Sequence, residues 1–597
     1  MSPRASGIDE LQKSPGRATL KFHPGNLHRL TTFLVAVLLI SACSSGGGDD
    51  GGASNRAPTA NAGHDQTVVE SSAVQLTGSG SDPDAGDSLS FSWSQISGTS
   101  VTIANPTSAN ATFTAPDVAA GNPEMLGFRL TVTDAAGLTA TDEVIITVQE
   151  PGEVVTISGT MLYEFPPPLP MCNGLNFLNL QERPIRRATV QALDETGSTV
   201  LDSDVTDDLG GYSLTVTAST NVIIRVRAEL KQGGNPSWDV EVRNNVDTSP
   251  SPPPLAQRPI YVMDSSVMDS GVVDSTVNLT ATTGWDSVSQ SFTGPRSASP
   301  FAVLDAIWSA MELVMATDPG ASFVPLDAFW SPDNTSSEGS GTFSDNVASG
   351  EIGTSFYSGD QLFLLGKDGD DVEEFDDHVI VHEWGHYFED NFSRSDSIGG
   401  AHSIGDILDM RVAFGEGWAT ALSGIALDNP IYCDTLWFAG TLSGFEIDIE
   451  SEGGGTPGWF NEISIMKIVY DLWDTNDDGA DNSSIGFDPI YDVMAGPQAN
   501  TEAFTSIFTF ATELKAVSGQ DAFINALLAE QDIETNTDLF GTTETNDAGA
   551  AVPGDVFPLY TDIIFGVTEN ICVNSQFDAD RDGNKLSEHR YLRLNLP

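Results

Sequence analysis

His382-Glu383-Trp384-Gly385-His386 is the stretch from which the rest of the chain can be read. On a helix, two histidines four residues apart lie one turn apart on one face. Their imidazoles can converge on a single Zn²⁺, with Glu383 beside them to accept a proton from a metal-activated water. The flanks, Val379-Ile380-Val381 and Tyr387-Phe388, suit a buried helix.

A zinc site of this kind needs a third protein ligand. A histidine six residues beyond the pair is ruled out, because Glu389 and Phe392 occupy the positions that pattern gives to Gly and His. Glu416 lies thirty residues after His386, in Val412-Ala413-Phe414-Gly415-Glu416-Gly417-Trp418-Ala419. The two motifs and their order resemble the gluzincins, zinc proteases similar to thermolysin and fungalysin. The resemblance implies a zincin-like α/β (α+β) metalloprotease domain with His382, His386 and Glu416 on zinc and Glu383 as general base. In the fungalysin-like pattern an Asp four residues after the ligand Glu supports a ligand histidine. Here that position is Thr420, and Asp409 is the expected substitute.

Between the two helices runs the polar, Gly- and Ser-rich loop Ser393-Arg394-Ser395-Asp396-Ser397-Ile398-Gly399-Gly400-Ala401-His402. Related enzymes steady the oxyanion of the tetrahedral intermediate with a His or a Tyr. His402, Tyr470 and Tyr491 are the candidates, and the sequence does not choose among them.

Working outward, the chain has 597 residues, enough for three or four domains. Lys and Arg number 25 against 85 Asp and Glu, a net charge of −60, which argues against nucleic acid or anionic lipid as partners. Near the start, Lys21, His28 and Arg29 precede an apolar run, Phe33 to Ile40, too short to span a bilayer. It ends in Ile40-Ser41-Ala42-Cys43, which resembles the bacterial lipoprotein box. The resemblance implies a signal peptide over 1–42 and lipidation of Cys43. It also implies a membrane attachment through the lipid alone, on the outer membrane or cell surface since Ser44 and Ser45 follow. Met1 to Leu20 are not needed for that signal. Residues 43–56 form a flexible tether.

Residues 57–150 alternate apolar and polar at Val74–Leu76, Leu89–Trp93, Phe128–Val132 and Val144–Val148, with turns such as Asp82-Pro83-Asp84-Ala85-Gly86-Asp87 between. Ser81-Asp82-Pro83-Asp84 and Phe91-Ser92-Trp93 resemble a PKD-type, immunoglobulin-like sandwich. Residues 151–283, with Asp208-Leu209-Gly210-Gly211-Tyr212 and a Pro-rich exit at Pro252-Pro253-Pro254, resemble a carboxypeptidase-regulatory-like sandwich. The fold expected is therefore two all-β sandwiches followed by a mixed α/β domain over 284–597. In it, apolar spacing predicts helices at 300–316 and 463–473, and Ser358-Gly359-Asp360 turns between two strands that could offer an edge to an extended peptide. The acidic run Asp368 to Asp377 reads as charge favouring the N-terminus of the zinc helix.

Two Asp-rich loops are candidates for Ca²⁺: Asp474, Asn476 and Asp478, and Asp578, Asp580 and Asp582. The first is not an EF-hand, since Ile485 stands at its twelfth position, and the second is followed by Glu588 at its eleventh. Of the remaining cysteines, Cys433 and Cys572 share a domain and could pair, leaving Cys172 over. The function expected is a surface-anchored zinc endopeptidase acting on protein or peptide. The alternatives are an adhesion or binding lipoprotein with an inactive protease-like domain, and an exopeptidase or other metal-dependent hydrolase.

Overall fold

The computed structural model describes residues 55–594, except 85, 120–122, 151, 153, 250, 439–440, 452–454, 476–482, 546–555, 565–566 and 579–581. The signal peptide and Cys43 lie outside the described residues. The chain divides into two compact units, Met1–Pro151 and Gly152–Pro597.

The first unit is all β. Its larger sheet runs Gln66–Val69, Thr139–Gln149, Glu124–Thr133, Ser90–Ser97, and Ala73–Thr77 pairs with Asn110–Thr114 in a second sheet. The strict alternation read from the sequence sends Trp93, Phe128, Leu130, Val132, Val144 and Ile146 inward against Val74, Leu76 and Phe113. Trp93 keeps its polar edge satisfied by donating Nε1–H to Ala109 O at 3.2 Å.

The second unit begins with Val154–Phe165, antiparallel to Gly211–Thr217 and Gln181–Pro184. Facing it is a nine-stranded sheet whose main path is Val200–Val205, Ala188–Asp194, Asn221–Gln232, Trp238–Arg243, Leu326–Trp330, Gln361–Leu364 and Phe356–Tyr357. This sheet runs across the boundary expected at 283/284. Trp238–Arg243 pairs in parallel with Leu326–Trp330, Val240 opposite Leu326. Trp238–Arg243 buries alternate residues and Leu326–Trp330 buries nearly all of its own, so either strand ending a sheet would leave ladder groups unpaired. One continuous apolar core spans residues of both expected domains.

The helices of this unit are α1 (Ser299–Thr317), α2 (Phe343–Ser349), α3 (Asp377–Phe392), α4 (Met410–Leu427), α5 (Glu462–Trp473), α6 (Phe487–Ala495), α7 (Ile507–Ser518) and α8 (Asp521–Glu530). α1 and α5 lie where apolar spacing places them. α1 packs on both the sheet and α3. α3 and α4 are buried on nearly every face, so tertiary packing rather than amphipathicity sets their place. Burial of Trp384, Tyr387, Phe388 and Trp418 contributes about 1.5–3 kcal/mol each. The two helices approach closely because Gly385 has no side chain: a Cβ there would lie 2.8 Å from Ala419 Cα. Gly417 does the same for α4 and α5, where a Cβ would lie 2.5 Å from Ile465 Cβ.

The cysteines pair otherwise than expected. Cys172 and Cys433 are joined, with Cα atoms 5.6 Å apart, and Cys572 is free and exposed. Cys172 lies in a short turn, Pro170–Cys172, within the insertion that follows Phe165. That turn docks on the hairpin Ile431–Phe438/Thr441–Asp448, so closely that a Cβ at Gly444 would meet Cys172 O. Sharing an expected domain is no guide here, because one sheet and one apolar core run across the boundary expected at 283/284.

Candidate metal centre

α3 and α4 deliver three ligand atoms to one point. His382 Nε2 lies 3.3 Å and His386 Nε2 3.4 Å from Glu416 Oε2, and all three atoms lie within 4.8 Å of one another. Ligands about 2.0–2.1 Å from a tetrahedral zinc are roughly 3.3–3.4 Å from each other, so the spacing of Glu416 to each imidazole fits such an ion. Burial alone would lower the His386 pKa, but Glu416, Glu383 and Glu389 around it raise it to about 10. Burial would likewise raise Glu416, yet the imidazoles hold it well below the usual carboxylate range. Glu383 is half-buried beside His382, and its charge is felt at His386, Glu373 and Tyr432.

The support for His382 comes from an unexpected residue. Its Nδ1 lies 3.0 Å from Thr420 Oγ1, on α4 one turn beyond Glu416. Asp409 takes no part. It caps α4 by accepting from Arg411 N–H, pairs with the Arg411 guanidinium at 2.9 Å and accepts the Tyr591 hydroxyl at 2.6 Å. A helix N-cap points away from a metal at mid-helix, which is why distance along the sequence misleads.

Of the three candidates for oxyanion donor, only His402 is at the site. Its Nε2 is 3.6 Å from Glu416 Oε2 and 3.4 Å from Glu462 Oε2, and its Nδ1–H donates to Gly400 O at 3.1 Å. Burial lowers its pKa, but Glu462 and Glu416 raise it to about 9. Tyr470 packs on Trp473 and against Gly424, among Asp474, Glu450, Asp428 and Asp448. Tyr491 packs on Phe388 and Phe392 and donates to Asp318 at 3.2 Å. The tyrosine beside the site is Tyr432, whose ring centre lies 6.2 Å from that of His382. Burial, then Asp434 and Glu383, push its pKa up.

The acidic run before α3, expected to favour the helix N-terminus, is buried from Asp371 to Asp376. Asp371, Glu373 and Asp434 bring carboxylate oxygens within 4.8 Å of one another, and Asp376 accepts Thr435 N–H at 2.9 Å and its hydroxyl at 3.0 Å. Burial, with Asp434 next, pushes Asp371 up to about 8, and burial pushes Asp434 up to about 6. Of the two Asp-rich loops, Asn476, Asp478 and Asp580 lie outside the described residues. Asp474 is the C-cap of α5. Asp578 accepts Asp582 N–H at 2.7 Å, and Lys585 Nζ stands 3.5 Å from Asp582.

Sequence reading misses Thr420 as the partner of His382, and it misses Glu462 and Tyr432. The turn-length spacing of Thr420 from Glu416 is the one available signal; Glu462 and Tyr432 reach the site only through tertiary packing.

Comparison with known proteins gives two family matches. Residues 62–148 match a PKD domain family, and residues 326–530 match the mycolysin C-terminal domain. No curated protein matches the chain. Among solved structures, similarity is found to a nucleoside hydrolase-related hypothetical protein from Saccharophagus degradans, 34% identical over 16% of this chain, with a TM-score of 0.14. The match spans only 26% of that protein. The PKD domain of the KIAA 1837 protein is 26% identical over 17% of this chain and 93% of its own, with a TM-score of 0.13. The D00-D0 domain of intimin is 15% identical over 28% of this chain and 90% of its own, with a TM-score of 0.14. The chain thus carries a PKD-like domain and a region similar to the mycolysin C-terminal domain, the composition of a protease-associated multidomain protein.

Proposed function

We propose that this chain is a zinc-dependent endopeptidase held at the cell surface by a lipid on Cys43. What carries this is the convergence of His382, His386 and Glu416 from two helices, Glu416 at tetrahedral spacing from each imidazole, with Glu383 next to the first histidine. Zinc bound there would act as a Lewis acid and make water nucleophilic near neutral pH. Glu383 takes the proton of the attacking water and returns it to the leaving nitrogen. His402, anchored at Nδ1 to Gly400 O and facing Glu462 at Nε2, stands where an N–H can meet a substrate oxygen gaining charge. Tyr432 walls the His382 side.

Glu383→Gln tests the reading directly. The amide keeps shape and leaves both imidazoles, but it cannot accept the proton. Zinc content should stay stoichiometric while casein hydrolysis falls about 10²–10⁴-fold. A metal-loaded variant that still digests casein at the parent rate would overturn the mechanism.

A further inference from the structure

His382 has two ring nitrogens, and each has its own neighbour. Nε2 faces Glu416 at 3.3 Å, where the triad converges. Nδ1 faces Thr420 Oγ1 at 3.0 Å. An imidazole that binds a metal through Nε2 carries its proton on Nδ1, so in that state His382 donates and Thr420 accepts.

The placement follows from the helices. Thr420 and Glu416 are four residues apart on α4 and share a face. Ala419, next to Thr420, is the residue that Gly385 of α3 touches most closely. The same close crossing therefore delivers the third ligand and the acceptor that orients the first. The carboxylates around the triad are Glu383 and Glu389, with Glu462 behind His402. His386 has Glu389 in its field, whereas the partner of His382 Nδ1 is a neutral hydroxyl.

We propose that Thr420 is the positioning residue of this metal centre, and that its neutrality sets a looser hold on the ion than a carboxylate would. A hydroxyl fixes the ring torsion and the tautomer of His382. It adds no negative charge and draws the Nδ1 proton less strongly, so His382 is a weaker electron donor to the metal. The result is a centre that keeps its geometry while giving up affinity and leaving the ion more electron-poor. This inference rests on the zinc reading above.

The test compares three variants of the full chain. Thr420→Val removes the acceptor at nearly constant volume, Thr420→Ser keeps it, and Thr420→Asp replaces it with a charged one. Zinc affinity is measured by competition with a chelating dye, and ligand geometry by the visible absorption of the Co²⁺-loaded protein. Melting temperature of the metal-free protein monitors the fold. The expected result is a 10–100-fold weaker Kd for Val, with an altered Co²⁺ spectrum. Ser should lie within threefold of the parent and Asp should bind at least tenfold more tightly, all without loss of fold. Val within threefold of the parent overturns the positioning role. Ser as weak as Val overturns it too, since the loss would then belong to the methyl packing. Asp no tighter than the parent overturns the tuning. A parent protein that takes up no stoichiometric zinc removes the functional reading and this inference together, which separates that failure from the others.

Discussion

Gly385→Ala probes whether the close crossing of α3 and α4 is what builds the site. The added Cβ would lie 2.8 Å from Ala419 Cα, 3.0 Å from Ala419 Cβ and 3.4 Å from Ala419 O. Carbon atoms rest about 3.5–4.0 Å apart, so the helices must part by roughly 0.7–1 Å. The edges from Glu416 to His382 and His386, now 3.3 and 3.4 Å, would open to about 4 Å. Metal–ligand distances tolerate only about ±0.2 Å. Overpacking costs about 1–3 kcal/mol, but replacing a helix-interior glycine by alanine returns about 1 kcal/mol of helix propensity. Net stability should therefore fall by only about 0–2 kcal/mol, while zinc affinity falls at least a hundredfold. Thermal melting of the metal-free protein and dye competition for zinc measure the two quantities separately. Adding Ala419→Gly relieves the 3.0 Å contact but not the 2.8 Å one, so it should restore affinity in part. A zinc Kd within threefold of the parent would refute the reasoning, as would a loss of zinc that merely tracks unfolding.

Other outcomes test the remaining assignments. Glu416→Ala should lower zinc affinity by orders of magnitude and abolish hydrolysis, whereas His402→Ala should keep stoichiometric zinc and lose turnover; the reverse pattern after dialysis against a mild chelator would displace Glu416 as ligand. Asp371 and Asp434 have folded pKa values of about 8 and about 6, above the usual carboxylate range. Their protons are held more tightly in the folded chain, so the stability they contribute is full below about pH 4 and is lost as pH rises through 6 and then 8. The melting temperature should drop between pH 4 and pH 8, with a shallower slope below about pH 6 in Asp434→Asn; an identical slope in the two proteins would remove Asp434 from the account. Cys43→Ser should release the protein from the membrane fraction or leave it unprocessed, and undiminished lipid labelling would rule out anchoring at that residue.

The features legible in the sequence are those set by short-range spacing. His382 and His386 at one helical turn, and the helices α1 and α5, follow from periodicities of a few residues. The hairpin turn at Gly359 and Asp360, both with positive φ, follows from turn chemistry. What is not legible depends on contacts between distant parts of the chain. Nothing local announces that Trp238–Arg243 pairs with Leu326–Trp330, so the Pro-rich exit reads as a domain boundary that the sheet then crosses. The same blindness hides the Cys172–Cys433 link and the approach of Tyr432 to His382. The acidic run misleads for a different reason: position before α3 suggests charge favouring the helix N-terminus, but the strand carrying Asp434 folds over Asp371 and Glu373. Thr420 is the instructive case, since its spacing marks the position while its hydroxyl stands where a carboxylate is expected.

The Cys172–Cys433 bond joins residues 261 apart, and that span contains His382, Glu383, His386, His402, Glu416 and Thr420. The candidate ligand residues therefore all lie inside a covalent ring. A single backbone break anywhere within the ring gives two fragments that remain one molecule, separable only after reduction. The loop 393–409 joins α3 to α4 within that ring. There, hydrolysis would sever the direct connection between His386 and Glu416 without freeing either helix. The closed ring thus makes the nicked chain a form in which the site can persist, migrating whole on a non-reducing gel and as two pieces on a reducing one.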